Sequence, residues 1–183
     1  MENQFEQAET KEKYLKKEIK EWSRSIILAI IIAVIIRLFL FEVFLVEGNS
    51  MYSTLHHQER VIVNKAIYYF TEPDMGDVIV FNHAPRRDFI KRVVGLEGDV
   101  VKIKDGRLFV NGEEVEEPYI ENYSSPNFGP VTVKEEHFFV LGDNRSNSMD
   151  SRDPAVGLVS ENMIKGKAFV VFWPPGQARF LAL

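Results

Sequence analysis

An apolar run of 22 residues, SIILAIIIAVIIRLFLFEVFLV from Ser25 to Val46, constrains this chain more than any other feature, and its only charges are Arg37 and Glu42. A helix needs about 20 such residues to cross the hydrocarbon core of a bilayer. Ile26 to Ile36 is apolar on every face, whereas a helix lying on a soluble core keeps a polar stripe. The run therefore reads as a transmembrane helix, with Arg37 in its second half able to reach the far interface through its long side chain. The 24 residues before it are polar and interleave six lysines and arginines with six glutamates, while no lysine or arginine lies between Glu42 and Arg60. Positive charge marks the cytoplasmic side, so the expected topology is a single pass through the cell membrane, with 1–24 in the cytoplasm and 47–183 outside. A cleaved signal peptide is the competing reading. The leader is long and polar, however, and no small-x-small cleavage site follows the run, so 25–46 reads as an anchor in contact with membrane lipid.

Residues 47–183 have the length of one compact domain. The chain is 45% hydrophobic and 27% charged, the balance of a folded protein rather than a disordered one. A net charge of -5 gives no basic surface for nucleic acid. There is no cysteine, which removes disulfides, thiolate metal sites and a cysteine nucleophile. No HExxH or comparable metal spacing is present, so neither metal nor cofactor is expected. Short runs rich in β-branched and aromatic residues occur at 60–64, 77–81, 89–96, 100–103, 107–110, 137–141 and 168–173. Asp105-Gly106 and Asn111-Gly112 are two-residue hairpin signals that predict a small meander from 100 to about 118. The expected fold is mainly β: an antiparallel β-sheet domain with a small inserted β-meander, about 98–136, preceded by one transmembrane helix. Ser124 to Pro130 reads as a loop.

The chemistry-bearing stretches begin with Gly48-Asn49-Ser50-Met51-Tyr52-Ser53-Thr54-Leu55, where the chain leaves the apolar run. A Gly-x-Ser triplet alone is as well explained by a turn. A serine nucleophile needs a base beside it. His56, His57, His83 and His137 sit in no recognisable hydrolase setting and read as solvated loop or strand-end residues. Lys91, in FIKRVVGLEGD, is the alternative. Strand alternation puts Phe89, Lys91 and Val93 on one face and Ile90, Arg92 and Val94 on the other, so one charge must face inward or lie at a rim. Of the two, only lysine can lose its proton in a protein. A solvated lysine with a pKa near ~10.4 is almost never neutral at pH 7; bringing it to ~7 or 8 takes about 4 kcal/mol of bias, which apolar burial supplies.

The third stretch is Gly142-Asp143-Asn144-Arg145-Ser146-Asn147-Ser148-Met149-Asp150-Ser151-Arg152, after the run HFFVL. In this order, behind one N-terminal anchor, the three stretches resemble the bacterial type I signal peptidases, whose motifs read GDSMxPTL, a Lys-Arg pair, and GDNRxNSxDSR. The similarity runs from the anchor to about Arg152. It implies a serine endopeptidase that removes signal peptides from exported preproteins, with Ser50 as nucleophile, Lys91 as general base and Ser148 orienting the lysine amine. Asp150 and Arg152 resemble the family's supporting ion pair. Val46, Met51, Leu55 and Ile90 are implied as walls of shallow pockets for small side chains, and each is equally well explained as an ordinary core residue.

Three positions depart from the family pattern: Asn49 stands for the usual aspartate, Ser53 for proline, and Gly48 where some members carry a serine that helps hold the oxyanion. With Gly48, the oxyanion hole must rely on backbone N–H groups, that of Ser50 among them. Ser50 lies nine positions after Phe41, so an extended connection keeps the nucleophile within about 30 Å of the anchor's end. Two rivals remain in view: a Ser-Lys self-cleaving protease of the repressor type, against which the anchor argues, and a catalytically silent, membrane-tethered β domain that binds a secretion partner.

Overall fold

In the computed structural model, residues 2–84 and 87–181 are described, with 2–16 described as backbone only. The chain divides into two units, Met1–Leu40 and Phe41–Leu183. The first is one helix, α1, from Glu2 to Ile35, which continues as a π-helical turn from Ile36 to Leu40. Its polar half is rich in strong helix formers such as Glu, Lys and Gln. In its apolar half, a helix is how a single segment satisfies its own backbone in lipid. The 24-residue stretch Lys17–Leu40 is long and apolar enough to cross a membrane.

The helix ends earlier than the apolar run. Residues 25–46 read as one helix, but the structure makes Phe41–Leu45 a strand, β1. In FEVFL, aromatic and β-branched residues dominate around Glu42, a composition that suits a strand once a partner is available. Apolar content alone does not separate a lipid-facing helix from such a strand.

The second unit contains eleven further strands among the described residues: β2 (Arg60–Asn64), β3 (Val78–Ala84), β4 (Arg87–Gly95), β5 (Val100–Lys104), β6 (Arg107–Val110), β7 (Glu113–Glu114), β8 (Phe128–Thr132), β9 (His137–Leu141), β10 (Val159–Ser160), β11 (Ile164–Trp173) and β12 (Arg179–Phe180). They form two antiparallel sheets. The larger runs β1-β2-β11-β3-β4-β9-β10, with β12 on β11, and the smaller runs β7-β6-β5-β8. The smaller sheet is the inserted meander. Its two tight turns have positive φ at Asp105 and Gly106 and at Asn111 and Gly112, the conformation that favoured Asp-Gly and Asn-Gly there. The expected loop 124–130 is half strand, since β8 begins at Phe128 and pairs with β5.

Three apolar clusters hold the second unit together. Val46, Met51, Leu55, Val61, Val63, Val78, Val80, Ala168 and Val171 form one, and Ile79, Phe81, Val93, Phe138, Val140 and Val159 another. β3 contributes Val78 and Val80 to the first and Ile79 and Phe81 to the second, so it is covered on both faces. That is why its sequence is a continuous apolar run rather than an alternating one. The third cluster joins the sheets through Val94, Val101, Ile103, Leu108, Phe139 and Leu141.

Candidate active site

Ser50 lies in the connection between β1 and β2, a loop closed at its base by Val46 N–H donating to Glu59 O at 2.8 Å and Gln58 N–H to Val46 O at 2.9 Å. Asn144 holds the turn itself: its N–H donates to Ser50 O at 3.0 Å and its side-chain amide to Asn49 O at 3.1 Å. Lys91 comes from the middle of β4, and its Nζ lies 2.8 Å from Ser50 Oγ and 2.9 Å from Ile90 O. Lys91 is 3% exposed. Burial pushes it down from the usual 10.5 to about 8, although the carboxylates of Asp150 and Asp143 pull the other way. At neutral pH a useful fraction is uncharged and can accept the Ser50 proton across the contact already formed.

The strand pattern requires one of the two charges on β4 to face inward or lie at a rim; the structure buries both, with Lys91 3% and Arg92 2% exposed. Both faces of the strand are covered at this point. Arg92 makes a two-pronged ion pair with Asp143, Nε to Oδ1 at 3.0 Å and Nη2 to Oδ2 at 2.7 Å, and lies over the Tyr119 ring. Thr54 Oγ1 donates to the same Asp143 carboxylate at 2.5 Å. The residue after the base is thus tied to the last motif and to the loop that carries the nucleophile. None of Arg92, Asp143, Thr54 or Asn144 was assigned a role from sequence, because their roles lie in pairings 38 to 95 residues apart.

Asp150 is fully buried and paired with Arg152, Nε to Oδ1 and Nη2 to Oδ2 both at 2.8 Å, and it accepts the Gly142 N–H at 3.0 Å. Burial alone would raise its pKa, but the bonds and charge of Arg152 outweigh that and hold the carboxyl below its ordinary value. Ser148 Oγ is buried with no hydrogen-bond partner among the described residues; the two contacts of the Lys91 amine are to Ser50 and Ile90. At Gly142, these pieces crowd together: a β-carbon there would fall on Ser148 Oγ and lie 2.5 Å from Ser50 O. Gly142→Ala is expected to lower kcat about 100-fold by displacing both, read as substrate turnover by the folded variant.

A cleft of about 480 Å³ opens at Ser50 and Lys91, lined by Phe44 to Met51, Arg87 to Lys91, Asn147 and Met149. Val46, Met51 and Ile90 lie on its walls. Leu55 does not: it is wholly buried in the core and lines no part of the cleft, because a helical-type bond from its N–H to Met51 O turns it inward. Gly48 donates its N–H to His57 Nδ1 at 3.1 Å, so neither a hydroxyl nor that N–H is aimed at the cleft. β4 pairs with β3 along Arg87–Arg92 but with β9 only from Arg92 onward, which leaves one edge of residues 87–91 without a strand partner among the described residues.

A serine hydroxyl resting on a buried, largely deprotonatable amine, beside an open groove with an unpaired strand edge, is the equipment of a serine hydrolase acting on extended peptide. Residues 19–173 match the family described as signal peptidase, peptidase S26. The chain is 41% identical to signal peptidase I S of Bacillus subtilis, over 90% of this chain and 94% of that one. It is 42% identical to a signal peptidase I of Bacillus amyloliquefaciens, over 92% and 94% respectively. A crystal structure of an Enterococcus faecalis signal peptidase I is 29% identical and superposes with a TM-score of 0.47, covering 53% of this chain and 97% of that one. The chain belongs to the signal peptidase family of serine endopeptidases.

Proposed function

We propose that Ser50 and Lys91 carry out the removal of signal peptides from exported preproteins. The observation that carries this reading is the 2.8 Å contact between Ser50 Oγ and an amine held near pKa 8 by burial. Neutral Lys91 takes the Ser50 proton as Oγ attacks the scissile carbonyl. The resulting ammonium gives a proton to the leaving amine. Lys91 then activates the water that hydrolyses the ester. The oxyanion is met by the Ser50 N–H, which has no hydrogen-bond partner among the described residues. Ser148, buried beside the Asp150 carboxyl, orients the amine as it turns over, and the Asp150–Arg152 pair holds the loop on which Ser148 sits.

The substrate lies extended in the cleft against the free edge of β4, and Val46, Met51 and Ile90 shape pockets for small side chains. The N-terminal helix spans the cell membrane with residues 1–24 in the cytoplasm, a topology supported by the lysines and arginines on that flank. The catalytic domain then works outside, where exported chains emerge.

The test is to incubate the detergent-solubilised chain with an exported precursor and sequence the new N-terminus, alongside Ser50→Ala and Lys91→Ala. Cleavage after a short apolar segment, lost in both variants, is the expected result; processing that survives either substitution would sink the mechanism. A second expected result concerns pH. Protonated Lys91 is inactive as a base, so kcat/KM for the precursor rises with pH to a plateau, with a midpoint near 8. A profile flat from pH 6 to 9 would exclude Lys91 as the base.

A further inference from the structure

The residues after Trp173 lie beyond the stretch that matches the family, yet Arg179 reaches back to the loop that carries the nucleophile. β12 pairs with β11, setting Arg179 opposite Val171. Leu181 N–H donates to Phe169 O at 2.9 Å, and its side chain packs on the cluster that contains Val46 and Met51. Arg179 is therefore delivered by a fixed strand rather than by a free tail. Its guanidinium makes two kinds of contact with the Val46–Glu59 loop. Nη1 and Nη2 grip the Glu59 carboxylate at 2.7 and 2.8 Å, and Nη2 also donates to the backbone oxygen of Thr54 at 2.7 Å.

Both contacts bear on Ser50. Glu59 is buried, its other oxygen bond is from His56 N–H at 2.9 Å, and its backbone O closes the loop by accepting from Val46 N–H. Thr54 follows Ser50 by four residues, and its hydroxyl bonds the Asp143 carboxylate that holds Arg92. Arg179 thus fixes the carbonyl of the residue whose side chain is already fixed from the opposite direction. We propose that Arg179 is a positioning residue for the signal-peptidase reaction, clamping the Ser50 loop through Thr54 O as well as neutralising Glu59. This rests on Ser50 being the nucleophile.

The experiment compares the full chain in detergent with Ser50→Ala, Arg179→Ala and Glu59→Gln/Arg179→Ala, each assayed for kcat, KM and Tm on the same precursor. Arg179→Ala is expected to lower kcat by about 10- to 100-fold with KM little changed, since a slightly misplaced nucleophile costs turnover rather than binding. The double variant removes the buried unpaired carboxylate and regains Tm, but its kcat stays low because Thr54 O still lacks its donor. Added guanidinium ion raises the kcat of Arg179→Ala. A double variant with parental kcat would reduce Arg179 to a charge partner and overturn the proposal. So would a parental kcat in Arg179→Ala, or a loss confined to KM. If Arg179→Ala does not fold, the double variant decides the matter by the same kcat. Processing by Ser50→Ala is a separate outcome, which would instead remove the nucleophile assignment.

Discussion

Lys91→Met is expected to produce an enzyme roughly 10,000-fold or more slower in kcat, and at pH 7 a more stable one. The loss follows from removing the base. The gain follows from the sign of the pKa change. Burial lowers the Lys91 amine from 10.5 to about 8, so between those values the unfolded chain binds a proton that the folded chain does not, and the parent's stability rises with pH across that window. Below pH 8 both states are protonated and the full penalty of burying the ammonium is present, about 3 kcal/mol. Methionine has a similar reach and no charge, so it escapes that penalty. Unfolding midpoints measured at pH 7 and pH 10.5 should differ between parent and variant at the lower pH and converge at the higher. A variant that is less stable than the parent at pH 7 would mean that the amine is not held in a desolvated site.

Asp143→Ala carries the largest expected cost in stability. It strips the two-pronged partner from Arg92, whose side chain is 2% exposed, and removes the acceptor of the Thr54 hydroxyl. Breaking a buried ion pair from one side costs about 3–5 kcal/mol, because the remaining charge is left in a dry site. For a domain of this size that corresponds to a fall in Tm of roughly 10–20 °C. Arg92→Met/Asp143→Leu leaves no stranded charge and should recover much of the loss. Calorimetry of the two single variants and the double variant measures the coupling directly. If the double variant is no more stable than Asp143→Ala, the single loss reflects packing rather than the buried guanidinium.

Much of this was legible from the chain alone because it rests on local pattern. The runs at 60–64, 107–110 and 137–141 coincide with β2, β6 and β9, since each places β-branched or aromatic residues where a sheet can bury them. The Asp-Gly and Asn-Gly turns announce the inserted sheet through backbone conformation. What escaped is non-local. Nothing near Arg145 points to Glu117, 28 residues away, yet the two form a fully buried ion pair to which Tyr119 donates at 2.7 Å. The end of α1 was misplaced because Phe41–Leu45 is as apolar as the helix before it, and only its pairing with β2 makes it a strand. Leu55 and Val46 share one core cluster, but only Val46 also lines the cleft, because a turn of backbone carries Leu55 inward.

The strand order has a further consequence for how this protease comes into being. β1 and β2 bracket the Ser50 loop, and β4 carries Lys91, but in the sheet these two groups are joined only through β11, the last long strand to be made. During synthesis the serine and the lysine both emerge well before residue 164, while the strand that links their parts of the sheet does not yet exist. The sheet that carries the dyad is therefore completed only when the last long strand takes its place between β2 and β3.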